Sequence, residues 1–186
     1  MSSQPDVATI DYKGLERSLQ KAENDVELFK LIVNSPFNLA NVQMAFLFLG
    51  IIVLLLVNKK TGMIDRVALS ETDLAKRTTE VSVIPFEKIK ISADNADNII
   101  AKAIRSSQMQ DTTDWKYLFT PSLTPAQARI NQANAGIAYS AVCPLSARDG
   151  GALIFSYYQY KELVGEDQQE FMAKYAQLVS DSLKPR

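Results

Sequence analysis

Residues 31–58 contain no Asp, Glu, Lys or Arg, and within them residues 45–57 read AFLFLGIIVLLLV, without one polar side chain. Rising ~1.5 Å per residue, a helix over residues 37–57 would cross the ~30 Å hydrocarbon core of a bilayer. The expectation is therefore a single-pass membrane protein in contact with the lipid bilayer. An N-terminal arm (1–36) precedes the transmembrane helix (37–57), and a juxtamembrane linker (58–65) leads to a C-terminal domain (66–186). A buried core helix is an alternative, as is a re-entrant or interfacial segment, because Asn38, Asn41 and Gln43 stand near the start of the run. A secretory signal does not fit: Asp6, Asp11, Glu16, Glu23, Asp25 and Glu27 precede the run, where a signal needs a basic start. Lys59, Lys60 and Arg66 follow it, against Lys21 and Lys30 before it, which places the C-terminal domain in the cytoplasm.

The chain has a formal net charge of −1, and no stretch interleaves Lys or Arg with aromatics, so a nucleic-acid partner is not expected. It has no histidine, which removes the commonest general base, the Ser-His-Asp arrangement and most zinc sites. Asp111 and Asp114 lie in a polar turn, and the glycines at 150 and 151 belong to a hairpin rather than a phosphate loop. An enzyme is not the favoured reading. Cys143 is the sole cysteine, so no intramolecular disulfide forms, and on an apolar strand it reads as a small hydrophobe.

In the arm, Leu15, Leu19, Ala22, Val26, Phe29 and Val33 are spaced four, three, four, three, four, which is a heptad seam. A homodimer through this helix is the expectation; a helix lying on its own domain or in the membrane interface is the alternative. Pro36 marks a break before the next helix, with Asn34 and Ser35 as turn or cap residues.

Beyond Gly62 the pattern becomes mixed. Residues 66–70 and 81–92, the second rich in β-branched side chains, read as strands, with Pro85 at an edge or bend. NIIAKAIRSS reads as a helix capped by Asn95 or Asp97, and Thr124 caps a short helix with Pro125 at its first position. Two apolar runs, 136–145 and 151–158, joined by SARDG, form a hairpin covered on both faces. Residues 166–183 make an amphipathic helix, with Phe171, Met172, Tyr175, Leu178, Val179 and Leu183 as its stripe. Trp115, Tyr117, Phe119, Tyr139 and Tyr157 either wall an apolar ligand cavity or pack the core.

Over residues 98–183 the chain resembles the second half of a GAF domain, a fold related to the PAS type. The resemblance rests on a strand closing in Pro144-Leu145, a tight turn at Gly150-Gly151, the strand ALIFSY and a helix opened by Glu166-Asp167. It implies an α+β domain, an antiparallel sheet flanked by helices, with residues 66–92 supplying the first two strands in shortened form. It also implies a pocket between the sheet and the connections after the middle helix. No cofactor is expected: without a histidine, and with Cys143 on a strand, neither an attached tetrapyrrole nor His-ligated haem fits, and the cyclic-nucleotide signature is absent. Two functions remain open. One is a membrane-anchored, non-catalytic module for small-ligand sensing or protein interaction. The other is a membrane-bound scaffold or assembly factor without a ligand, held against a membrane-protein partner.

Overall fold

The apolar run is extended. In the computed structural model, which describes residues 10–38, 48–146 and 149–184, Leu49–Asn58 forms a ten-residue strand, β1. It pairs antiparallel with β2 (Met63–Leu69) on one side and β6 (Gly151–Tyr157) on the other. Ile52 and Leu54 point into one apolar layer, while Ile51, Val53 and Leu55 point into a second. A central strand with core on both faces has no solvent side to mark with polar residues, so its sequence is as dry as a membrane span. The transmembrane helix expected at 37–57 is corrected accordingly: Phe37 and Asn38 end a helix, residues 39–47 lie outside the described residues, and 49–57 are strand. No helix among the described residues is long and apolar enough to cross a membrane. The juxtamembrane linker of 58–65 is the β1–β2 turn, with Gly62 at φ +68°, and the start of β2.

Six strands make one sheet in the order β3-β2-β1-β6-β5-β4, with β3 at Ile91–Ser92, β4 at Gln110–Thr112 and β5 at Tyr139–Leu145. All neighbours are antiparallel. The expected β5–β6 hairpin is present, Cys143 lying opposite Leu153; residues 147–148 of its connection lie outside the described residues. The α+β class with an antiparallel sheet flanked by helices is observed. Its first two strands are β1 and β2 rather than a hairpin within 66–92, because the supposed anchor is itself a strand.

On one face lie α1 (Tyr12–Gln20), α2 (Asp25–Asn38) and the long helix α7 (Glu166–Ser182). The continuous heptad helix is thus two helices. Asp11 caps the first by accepting from the Gly14 N–H, and the Asn24 side chain accepts from the Glu27 N–H at the start of the second. Leu15, Leu19, Ala22 and Val33 are buried in the chain's own core, Phe29 packs against it, and Val26 is 68% exposed. The seam is spent on α7 and the sheet. Phe171 and Tyr175, one turn apart on α7, stack at 5.5 Å, and Phe155 of β6 meets the Phe171 ring edge-on at 5.9 Å. Pro36 does not end α2, which runs through it to Asn38.

The other face carries α3 (Asp73–Val81), α4 (Ile99–Ser106), α5 (Lys116–Phe119) and α6 (Pro125–Ala135). Helix α3 ends at Val81, and beyond it irregular backbone and a short 3₁₀ turn at Phe86–Lys88 take the ground expected to be strand, leaving only Ile91–Ser92 extended. The cap of α4 is Asn98, whose Oδ1 accepts from the Ile100 and Ala101 N–H groups. Thr124 caps α6 as expected, in a capping box with Gln127, and Gly136 closes that helix at φ +68°, where a side chain would be strained.

Candidate functional site

Between the second face of the sheet and its helical cover lies a cavity of ≈ 40 Å³. Its floor is Ile51 and Val53 of β1 and Ile154 and Ser156 of β6. Trp115 and Phe119 form a wall. Their rings, one helical turn apart, stand 5.3 Å apart. Half-buried Thr78, Ser82 and Phe86 and exposed Thr79 lie at the outer end, where α3 runs into the loop after it.

The wall is held from both sides. The Trp115 indole Nε1 donates to Ser140 Oγ at 2.9 Å, and Ser140 Oγ shares a 2.7 Å hydrogen bond with Ser156 Oγ, its direct cross-strand partner. The Trp115 backbone N–H donates to Gln132 Oε1 of α6, whose Nε2 donates to the Thr113 and Ile137 carbonyls. Asp114 accepts from Arg129 Nη2 at 2.7 Å. Burial pushes the Asp114 carboxyl up, but the Arg129 hydrogen bond and the Lys116 N–H pull it, on balance, below the usual carboxylate range.

Two polar residues that the sequence reading passed over as site residues line the cavity. Arg66, on β2 opposite Leu55, is 5% exposed, with its guanidinium 4.7 Å above the Phe119 ring. Its Nε is buried without a hydrogen-bond partner. Burial lowers its pKa to about 10, which leaves it charged at neutral pH. Asn131 of α6 is 3% exposed, and its Nδ2 is likewise buried and unpaired. Both could have been found. Arg66 occupies a strand position whose alternation with Ile64 turns it inward, and Asn131 sits on the stripe that continues through Ala128 and Ala135 of α6.

The five aromatic residues proposed as one pocket wall do not share a cavity. Trp115 and Phe119 line it. Tyr117 is 45% exposed on the far side of α5, with Lys116 Nζ 4.6 Å from its ring centre. A strand reading of 115–119 puts all three on one side; the helical turn separates the middle residue from the other two. Tyr139 and Tyr157 are on the opposite face of the sheet, their rings 6.0 Å apart, in the core that holds Cys143. There the Tyr139 hydroxyl donates to Asp111 Oδ2, which also pairs with Lys161. Burial raises the Cys143 thiol to about 12. Among the described residues no group of three or more acidic, cysteine or histidine side chains is placed to hold a metal ion.

No family model matches the sequence, and no curated protein matches it. Solved structures do match in fold. The GAF domain of an Acinetobacter phosphoenolpyruvate-protein phosphotransferase aligns with a TM-score of 0.61 at 8% identity, over 92% of this chain and 89% of that one. The phycoerythrobilin-bound GAF domain of a cyanobacterial phytochrome aligns at 0.58 with 12% identity, over 94% and 95%. The substrate complex of fRMsr from Staphylococcus aureus aligns at 0.54 with 11% identity, over 93% and 95%. The fold is GAF-like. At such identities the likeness is one of architecture, and the three neighbours include a phycoerythrobilin-bound domain and a protein in complex with substrate.

Proposed function

We propose that this chain is a non-catalytic, small-ligand-binding sensory or interaction module whose ligand sits between β1, β6 and the α5–α6 layer. The observation that carries the reading is the cavity itself. Its walls are aliphatic and aromatic, with a few polar groups converging on it, which is how ligand sites are generally built. Occupancy would favour one arrangement of the segment from Thr78 to Phe86, which stands at the outer end, and a partner touching that segment would read the difference.

Trp115 is the chain's one tryptophan and lines the cavity, so its emission reports occupancy directly. A set of neutral and charged small metabolites is titrated while emission and melting temperature are followed. A saturable change in both for at least one compound, lost in Ile154→Phe, which fills the cavity from its floor, supports the reading. If no compound moves either signal, the site is a packing void and the module has no ligand there.

A further inference from the structure

The cavity holds a positive charge that the fold does not neutralise. Beyond the Phe119 ring, Arg66 reaches only the Leu118 carbonyl, at 3.5 Å from Nη2, the long limit of a hydrogen bond. That carbonyl already accepts from Asn98 Nδ2 at 3.1 Å. Among the described residues no carboxylate forms an ion pair with Arg66. Its neighbour Asp65 lies on the alternate side of β2, paired with Lys90 at 3.1 Å. Arg66 Nε and Asn131 Nδ2 are the two buried side-chain nitrogens left unpaired among the described residues, and both residues line this cavity. The buried oxygens without a hydrogen bond, Tyr157 Oη and the Asp65 Oδ1 that is ion-paired with Lys90, belong to residues that do not. The lining residues therefore include two unsatisfied donors, one of them on a cation, behind an almost wholly apolar surface. A buried charge without a counter-ion is costly, and the missing partner has acceptor oxygens and a negative charge.

We propose that the cavity binds a small monocarboxylate, its head group held by Arg66 and Asn131 and its tail laid on Ile51, Val53 and Ile154. This rests on the reading of the cavity as a ligand site. The guanidinium fork matches a carboxylate in geometry, and Asn131 adds a donor from the other layer. The apolar floor excludes a polyanion, which would leave oxygens facing aliphatic carbon. A volume of ≈ 40 Å³ limits the ligand to roughly two to four carbons.

The full chain is titrated with sodium propionate, with the isosteric neutral propionamide and with sodium chloride at matched ionic strength, following Trp115 emission and melting temperature. Propionate is expected to saturate at a concentration roughly tenfold or more below propionamide, the ratio a charge-assisted hydrogen bond supplies, and chloride to have no saturable effect. In Arg66→Met the preference for propionate over propionamide disappears, and the ligand-free protein melts at the same or a higher temperature, since an uncompensated buried charge is gone. Equal half-saturation by propionate and propionamide overturns the carboxylate while leaving the cavity a ligand site. An equal response to chloride overturns it too. Silence from both organic probes also overturns it, and the broader metabolite set then decides separately whether the cavity takes any ligand. The comparison in the unmodified protein is decisive even if Arg66→Met does not fold.

Discussion

The Tyr175 hydroxyl donates a 2.6 Å hydrogen bond to the backbone carbonyl of Ile32. That carbonyl lies four residues before Pro36, which has no N–H to return to it, so the proline inside α2 leaves a buried acceptor orphaned. Tyr175, on α7, is fully buried and supplies the missing donor from 143 residues away. This is how α2 continues through a residue that ordinarily stops a helix.

Tyr175→Phe is expected to cost about 1–3 kcal/mol, the penalty for a buried carbonyl left unsatisfied. Pro36→Ala restores a backbone N–H, so in that background Tyr175→Phe should cost distinctly less. Urea denaturation of the four proteins of the cycle measures the coupling. Strict additivity would show that the two residues do not serve the same carbonyl.

The difference between what could be read from the sequence and what could not follows the range of the signal. The β5–β6 hairpin, the Thr124 cap and the α7 stripe each announce themselves within a few residues, and all three are present. β1 does not, because its identity depends on β2 and β6 lying either side of it and on helices covering both faces; hydropathy alone cannot distinguish that burial from lipid. α3 was missed for the opposite reason. Of its nine residues only Ala75 is buried, so the segment offers no apolar stripe to mark it as a helix. Of the candidate site, Trp115 and Phe119 are visible as aromatics, but Arg66 reads as a cation flanking a membrane and Asn131 is marked only by its spacing from Ala128 and Ala135.

β1 as the central strand makes a direct prediction for backbone exchange. The amides of Val53, Leu54 and Leu55 are enclosed by strands on both sides, and that of Ile52 donates to the buried Ser70 Oγ, so all four should exchange only on global unfolding, among the slowest in the chain. Amides in α3, on the surface, should exchange by local opening several orders of magnitude faster. Hydrogen exchange read by NMR checks both. Fast exchange across 52–55 in detergent-free buffer would contradict the sheet.

Gly151 opens β6 where a Cβ would stand 2.6 Å from the Leu55 carbonyl oxygen, closer than real contacts come. The obstacle is backbone of the central strand and cannot swing aside. Gly151→Ala should therefore destabilise by about 1–3 kcal/mol, in the range of overpacked sites. For a chain of this size that is a fall of roughly 2–4 °C in melting temperature per kcal/mol. An unchanged melting temperature would mean that β1 and β6 lie further apart.

Cys143 lies in the apolar layer beside Tyr139 and Tyr157, with its thiol pushed up by burial to about 12. At pH 8 it carries almost no thiolate, and the thiolate is the reactive form. The folded protein should leave Ellman's reagent uncoloured for as long as it stays folded and release one equivalent in denaturant. Labelling in native buffer at the rate of a free thiol would place Cys143 at the surface.

The Asp114–Arg129 pair ties the approach to Trp115 to α6, and the Asp114 carboxyl sits below its ordinary value in the folded state. A depressed carboxylate favours the folded state fully above the unfolded-state value of ~3.9. That contribution fades as pH drops below this value and is gone once pH has fallen through the folded-state value. Because Arg129 is more than half exposed, solvent screens the pair, and its share is small. Asp114→Asn keeps an acceptor for the Lys116 N–H but removes the charge. It should lower stability at pH 6 and do so less and less as the pH falls below ~3.9, so that the two proteins' stability curves converge as acid is added. Chemical denaturation at stepped pH measures the gap, and a gap that does not narrow with acid would assign the effect to lost packing rather than lost charge.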